Sequence, residues 1–195
     1  MRGKSIMNIF ALDRDPKIAA EMMCDQHIVK MIIESVQMFS AVIDMNYNER
    51  YKGASKTPPS HSLGLYNYPK SVRKHPCTLW VAESRGNYKW LIKHTRAMCL
   101  EYSKRYGKTH ASEGLVMICE AQEKYLDFLY TRKTEFIQAM PDKAKKNDPI
   151  NGYRNFYNLY KFAFARWQKT RPAPDWYVGG PLYFVSLENS WVYKE

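Results

Sequence analysis

The chain has 195 residues, 45% apolar and 25% charged, a composition that sustains one substantial core and excludes wholesale disorder. Its apolar runs are only a few residues long, which argues against a membrane-spanning helix. Its four cysteines lie far apart with no Cys-x-x-Cys pair, which argues against a disulfide scaffold and for free thiols in a reducing, cytoplasmic setting. With 30 Lys and Arg against 19 Asp and Glu, the net charge of +11 calls for a polyanionic partner.

The basic start, Met1 to Ser5, is followed by no long apolar stretch, so no secretory signal is expected. Residues 1–6 read as an extension ahead of Met7. Asn8–Leu12 is a short apolar segment, either a brief strand or a buried entry. Asp15-Pro16 offers an N-cap followed by proline at the first helical position. Behind it Ile18, Met22, Met23, Ile28, Met31, Ile32, Met38, Phe39 and Val42 recur at helical spacing and predict one helix over 16–44. Residues 46–74, punctuated by Asn46, Gly53, Pro58, Pro59, Gly64 and Pro69, read as a long irregular loop of the kind that is usually functional or mobile. His75-Pro76 reopens a helix that runs to Gly107, and a third helix follows over 115–130. Asp148-Pro149 caps a fourth, with Phe156, Leu159, Tyr160, Ala163 and Trp167 spaced for burial, until Arg171-Pro172-Ala173-Pro174 stops it. Asp175 to Glu195, aromatic and broken by Gly and Pro, is expected to pack as an irregular cover. The expectation is an all-α fold: a single compact helical domain over 1–195, monomeric, with a long irregular loop and an irregular aromatic tail.

On the first helix His27, Lys30 and Glu34 fall at i, i+3 and i+7 and share one face within an apolar stretch. Charged groups are seldom drawn into such a helix without partners, because desolvation is costly. If the face lines a cleft, the set suits proton transfer or amine chemistry on an electrophilic carbon. The alternative is a Lys30–Glu34 salt bridge on a solvated edge. Arg73, Lys74 and His75 precede the second helix, where basic side chains and free N–H groups make a phosphate site. Arg85 and Tyr88 follow on a shared face. Residues 131–171 hold ten Lys and Arg against three acids, and Tyr153, Arg154, Tyr157, Lys161 and Arg166 alternate ring and cation. The 15 Tyr and 5 Trp among so many cations favour nucleic acid, since ring faces stack on exposed bases for ~1–3 kcal/mol each. Backbone contact to DNA is therefore expected, positioning without sequence readout. Cys24-x-x-His27 and His75-x-Cys77 are weighed as two halves of a zinc site and set aside for want of a standard spacing; no metal or cofactor is expected.

The segment Cys24-Asp25-Gln26-His27-Ile28-Val29-Lys30-Met31-Ile32-Ile33-Glu34, continuing to Phe39-Ser40-Ala41-Val42, resembles the pyrimidine dimer DNA glycosylase (phage endonuclease V-like) family. In that family an Asp-Gln-His triplet is followed, seven residues after the histidine, by the catalytic glutamate, with Phe-Gly-Ala-Val beyond; His27 and Glu34 keep the spacing, and Ser40 replaces the glycine. Asn8-Ile9-Phe10-Ala11-Leu12 is similar to the family's N-terminal segment, Lys74-His75-Pro76-Cys77-Thr78-Leu79-Trp80 to its His-Pro…Trp element, and Arg171-Pro172-Ala173-Pro174-Asp175-Trp176-Tyr177 to a segment that grips DNA. The resemblance implies an all-α domain, base excision from DNA with associated lyase activity, Glu34 as the catalytic carboxylate, and Arg171, Trp176 and Tyr177 at the DNA. It also exposes departures. The family's phage enzyme attacks the sugar with an N-terminal amine, whereas Met1-Arg2 and Met7-Asn8 both resist trimming here, and Ile33 and Gln37 stand where the family has arginines. The amine is left open between an untrimmed N-terminus and Lys30. A non-catalytic nucleic-acid-binding protein and a base- or nucleotide-modifying transferase remain the alternatives.

Overall fold

The computed structural model describes residues 7–51 and 59–180, with the short strands β1 (Tyr183–Phe184) and β2 (Trp191–Val192). Residues 1–6 lie outside the described residues, as does 52–58 of the expected loop. The fold is all-α apart from that antiparallel two-residue pairing in the expected irregular tail.

The chain enters through Met7–Leu12, every residue of which is buried, and the segment is not a strand. The Asn8 side chain accepts from the N–H groups of Ile9 (2.8 Å) and Phe10 (3.3 Å), and Phe10 takes a left-handed backbone with φ 38°. That conformation is unfavourable for a bulky residue and persists only where packing over-determines it. Here the ring is stacked on His27 (4.2 Å) and surrounded by Tyr153, Phe156 and Tyr157.

The single helix expected over 16–44 is two. α1 spans Pro16–Glu21, with Asp15 capping the N–H groups of Lys17 and Ile18 as its sequence dictates. α2 spans Asp25–Tyr51 and so also consumes the beginning of the expected loop. The break at Met22–Cys24 is made by groups remote in sequence. Arg105 donates to the Glu21 and Met23 carbonyls (3.0 and 2.8 Å), and the Trp167 indole donates to the Met22 carbonyl (3.1 Å). These donors satisfy the carbonyls that a helix end leaves orphaned. The rest of the expected loop carries α3 (Pro59–Ser62) and a 3-10 turn, Lys70–Lys74.

The second expected helix also divides, into α4 (Pro76–Glu83) and α5 (Arg85–Tyr106). Ser84 between them is extended, bridges to Tyr130, caps the Gly86 N–H (3.1 Å) and donates to the Arg132 carbonyl. The crossing segment comes so close that a Cβ on Gly86 would lie 2.2 Å from the Lys133 backbone nitrogen. α5 stops at Gly107, whose φ of 67° suits glycine. α6 (Glu113–Gln122) and α7 (Pro149–Tyr160, capped by Asp148) are both shorter than the sequence predicts. After Tyr160 the chain turns away, and Phe164, Trp167, Trp176 and Tyr177 pack back onto the core. Among the described residues no helix is long and apolar enough to cross a membrane.

Candidate functional site

The middle of α2 and the turn over Lys70–Lys74 face each other across a cleft of about 480 Å³, lined by Met7, Lys30, Ile33, Glu34, Gln37, Pro69, Ser71, Val72 and His75. Glu34 is 5% exposed, yet it is a carboxylate with placed donors. Lys30 Nζ stands 3.1 Å from its Oε1, and the Asn8 backbone N–H donates to its Oε2 over 3.3 Å. The Asn8 turn thus delivers a main-chain donor to the carboxylate, while the Asn8 amide ties the same segment to the Ala139 carbonyl (2.9 Å). The Lys30–Glu34 bridge exists, but with the carboxylate buried rather than on a solvated edge; only the Lys30 side chain, 52% exposed, meets solvent.

The opposite wall is held from beneath. Asp44, buried near the C-terminal end of α2, accepts from the Ser60 N–H (2.9 Å), the Ser60 hydroxyl (2.9 Å) and the Tyr68 hydroxyl (2.6 Å). Arg73 donates to the Tyr68 oxygen (2.9 Å), lies over the Tyr68 ring and approaches Asp44 (3.7 Å). Sequence reasoning missed Asp44 and Tyr68; a lone Asp and a lone Tyr in different elements give no local pattern. His75 caps α4, its Nδ1 accepting from the Cys77 N–H (3.2 Å), so a neutral ring carries its proton on Nε2. Burial lowers its pKa, with Glu34 opposing.

Of the expected site residues, the structure brings Glu34, Lys30 and His75 together at the cleft, with Arg73 behind its wall and exposed Lys74 beside it. His27 shares their helix face but not the cleft. It is buried between Phe10, Phe164 and Tyr157, bonded through Nδ1 to the Tyr157 hydroxyl (2.5 Å). Burial, helped by the charges of Lys161 and Lys30, lowers its pKa to about 3 and keeps it neutral.

Other expected contacts to DNA are engaged within the fold, although Arg166 stays exposed. Arg85 pairs with Glu123 (2.7 Å), and Tyr88 is buried against the Cys119 carbonyl (2.8 Å). Arg154 donates to the Leu12 carbonyl (3.0 Å) and meets Asp13, and Arg166 donates to the Phe162 and Ala165 carbonyls (3.0 and 2.8 Å). Arg171 clasps Glu101 with two bonds (2.7 and 3.0 Å) and also pairs with Glu21. Trp176 packs edge-on against Tyr157, with its Nε1 toward the Met22 sulfur (3.4 Å), and Tyr177 leans on Trp167. The two half-motifs weighed for zinc do not converge; among the described residues no three His, Cys, Asp or Glu are grouped to hold a metal ion. Burial pushes the Cys24 thiol up and the Cys77 thiol up to about 12.

Fold and cleft together define an all-helical basic protein with a buried, amine-paired carboxylate at the foot of its N-terminal segment. A family model described as pyrimidine dimer DNA glycosylase matches residues 7–113, from the buried entry through the start of α6, and the chain belongs to that family. No curated protein and no solved structure matches it.

Proposed function

We propose that this protein is a DNA glycosylase acting on damaged pyrimidines, pyrimidine dimers foremost, with an associated lyase that cuts the abasic strand, and that Glu34 is its catalytic carboxylate. The observation that carries the reading is the setting of Glu34: a buried carboxylate at the floor of a cleft, held by a main-chain N–H and an ammonium, in a protein of net charge +11. Burying such a group costs several kcal/mol even when it is paired, roughly what a functional site tolerates and a surface salt bridge does not require. The membership in a pyrimidine dimer glycosylase family supports the substrate class.

As the glycosidic bond breaks, positive charge develops on the sugar, and a fixed, buried carboxylate stabilises it more than solvent would. In the lyase step the same carboxylate takes a proton from C2′. Lys30 and the Asn8 N–H hold its two oxygens in place for both tasks. Exposed Lys74 and half-buried His75 at the facing wall supply a cation and an N–H donor for the phosphates that flank the damaged step, Arg73 steadies that wall through Tyr68 and Asp44, and His27 anchors the same face of α2 to Tyr157 outside the cleft.

The test is a duplex with a single thymine dimer, assayed for base release and strand cleavage. Glu34→Gln preserves shape but neither accepts the proton nor offsets the sugar cation, so turnover should fall ~10²-fold or more while DNA affinity changes little. Full turnover in Glu34→Gln would remove Glu34 from the chemistry.

A further inference from the structure

A second hollow, of about 550 Å³, opens where the start of α1 meets the start of α5 and the segment that crosses it. Four exposed lysines line it, Lys17, Lys89, Lys93 and Lys133, against one carboxylate, Asp15. Lys89 and Lys93 stand one turn apart on α5, so their like charges lie side by side. Lys133 arrives from a remote part of the chain. Gly86 has no side chain to keep the Lys133 backbone off α5. Asn87 then pins the next residue, accepting from the Thr134 N–H (2.9 Å) and donating to its hydroxyl (2.8 Å).

Little neutralises these charges. Asp15 Oδ1 is occupied by the N–H groups of Lys17 and Ile18 (2.8 and 3.1 Å). Among the described residues Lys17 and Lys93 enter no ion pair. Glu123 lies 3.7 Å from Lys89 but 2.7 Å from Arg85, so one carboxylate serves two cations. The Lys133 ammonium donates to the Thr134 carbonyl (3.0 Å) and lies 3.9 Å from the Phe136 ring centroid. The hollow is also separate from the Glu34 cleft, since no residue lines both. α4 stands between them: its Thr78 touches Met7 of the cleft (3.8 Å), and its Trp80 packs edge-on against Trp90 of the hollow (6.1 Å).

We propose that this lysine-lined hollow is a second DNA site, gripping the phosphate backbone of a further duplex segment while the Glu34 cleft holds the first. The inference rests on the DNA-binding reading above. The lining decides the class of partner. Trp90, its one ring, is 5% exposed, donates its Nε1 to the Arg14 carbonyl (2.9 Å) and is stacked on His94 (4.9 Å), so no base stacks there. The lining holds no side-chain amide or hydroxyl that could read a base edge. Bare cations without a stacking platform suit the dense phosphate rows of a duplex. They suit a single strand less, because its binding draws on ring stacking. A chain with two such sites passes from one DNA segment to another without releasing both, which shortens the search for a rare lesion.

The test uses the full chain, an undamaged duplex fixed on beads and a second, fluorescent duplex in solution. Wild type should bring the fluorescent duplex to the beads at low salt. The triple variant Lys17→Gln, Lys89→Gln, Lys93→Gln should lower that capture ~10-fold or more, while turnover on a free thymine-dimer duplex stays within ~3-fold of wild type. Arginine at the same three positions keeps the charge and should restore capture. An unlabelled single strand of equal phosphate content should compete less well than an unlabelled duplex. Undiminished capture by the glutamine variant, as when two chains pair through another surface, overturns the assignment. Equal competition by the single strand or by inorganic triphosphate overturns it too, as does a wild type that binds the beads but captures no second duplex. These three results leave the Glu34 reading standing. Capture without any thymine-dimer turnover sustains the second site and overturns the Glu34 reading, and no binding to the fixed duplex overturns both.

Discussion

His27 and Glu34 sit seven residues apart on one helix face and meet opposite fates, because what covers each is different. The imidazole is enclosed by Phe10, Tyr157 and Phe164 and stays neutral, whereas the carboxylate is enclosed by an N–H and an ammonium. The histidine leaves a signature in the pH dependence of stability. With a folded pKa of about 3 against 6.5 unfolded, the unfolded chain takes up the proton first as pH falls. Stability is therefore complete above pH 6.5 and is lost progressively toward pH 3. One such group contributes a slope of at most about 1.4 kcal/mol per pH unit. His94, buried on the Pro16 carbonyl with a pKa of about 4, acts in the same direction. His27→Leu should be less stable than wild type at pH 7 through lost packing and the lost Tyr157 bond, but should lose stability less steeply between pH 6 and 4. Denaturant titrations at three pH values read this directly, and an unchanged slope would mean that His27 is not buried and neutral.

At the scale of elements, the cleft depends on a wall that has little regular structure of its own. The turn over Lys70–Lys74 is held because Asp44 accepts from Ser60 and Tyr68, and Tyr68 in turn accepts from Arg73. Asp44 is a buried charge whose cost is offset only while those donors converge on it. Asp44→Ala should cost about 2–4 kcal/mol, because it strands them in an apolar setting. The consequence should be local as well. Amides over 65–75 should exchange faster than those of α5, and weakened DNA binding should accompany the loss of the wall. Protection over 65–75 matching wild type would show that the wall stands without Asp44. A second charged cluster, Asp25, Glu101, Arg105 and Arg171, performs the equivalent task at the opposite end of α2, which explains why Arg171 points inward.

Over the whole molecule the charge excess is what the proposed DNA binding draws on, and the structure redistributes it. The arginines of the C-terminal half mostly satisfy carbonyls and carboxylates within the fold. Lys70 and Lys74 flank the cleft wall, are exposed, and among the described residues enter no ion pair. Log affinity for duplex DNA should fall by about 0.9 per phosphate neutralised for each unit of log salt. The pair Lys70→Ala with Lys74→Ala should reduce that slope by ~1–2 without a change in melting temperature. An unaltered slope would place the DNA path elsewhere.

The sequence by itself determined the features set by neighbours along the chain. Asp15-Pro16, His75-Pro76, Asp148-Pro149 and Gly107 mark helix ends because capping and left-handed termination are decided within a few residues. The i, i+3, i+7 spacing placed Lys30 and Glu34 on one face because helical geometry is fixed. What it could not carry was anything set by remote partners. The division of 16–44 into α1 and α2 came from Arg105 and Trp167, and the break at Ser84 from the segment 130–133. The approach of the Asn8 N–H to Glu34, the enclosure of His27 and the place of Lys161 over the Phe10 ring all join residues many positions apart. Only the tertiary structure decides these, since burial and the direction of a donor depend on which distant side chains arrive.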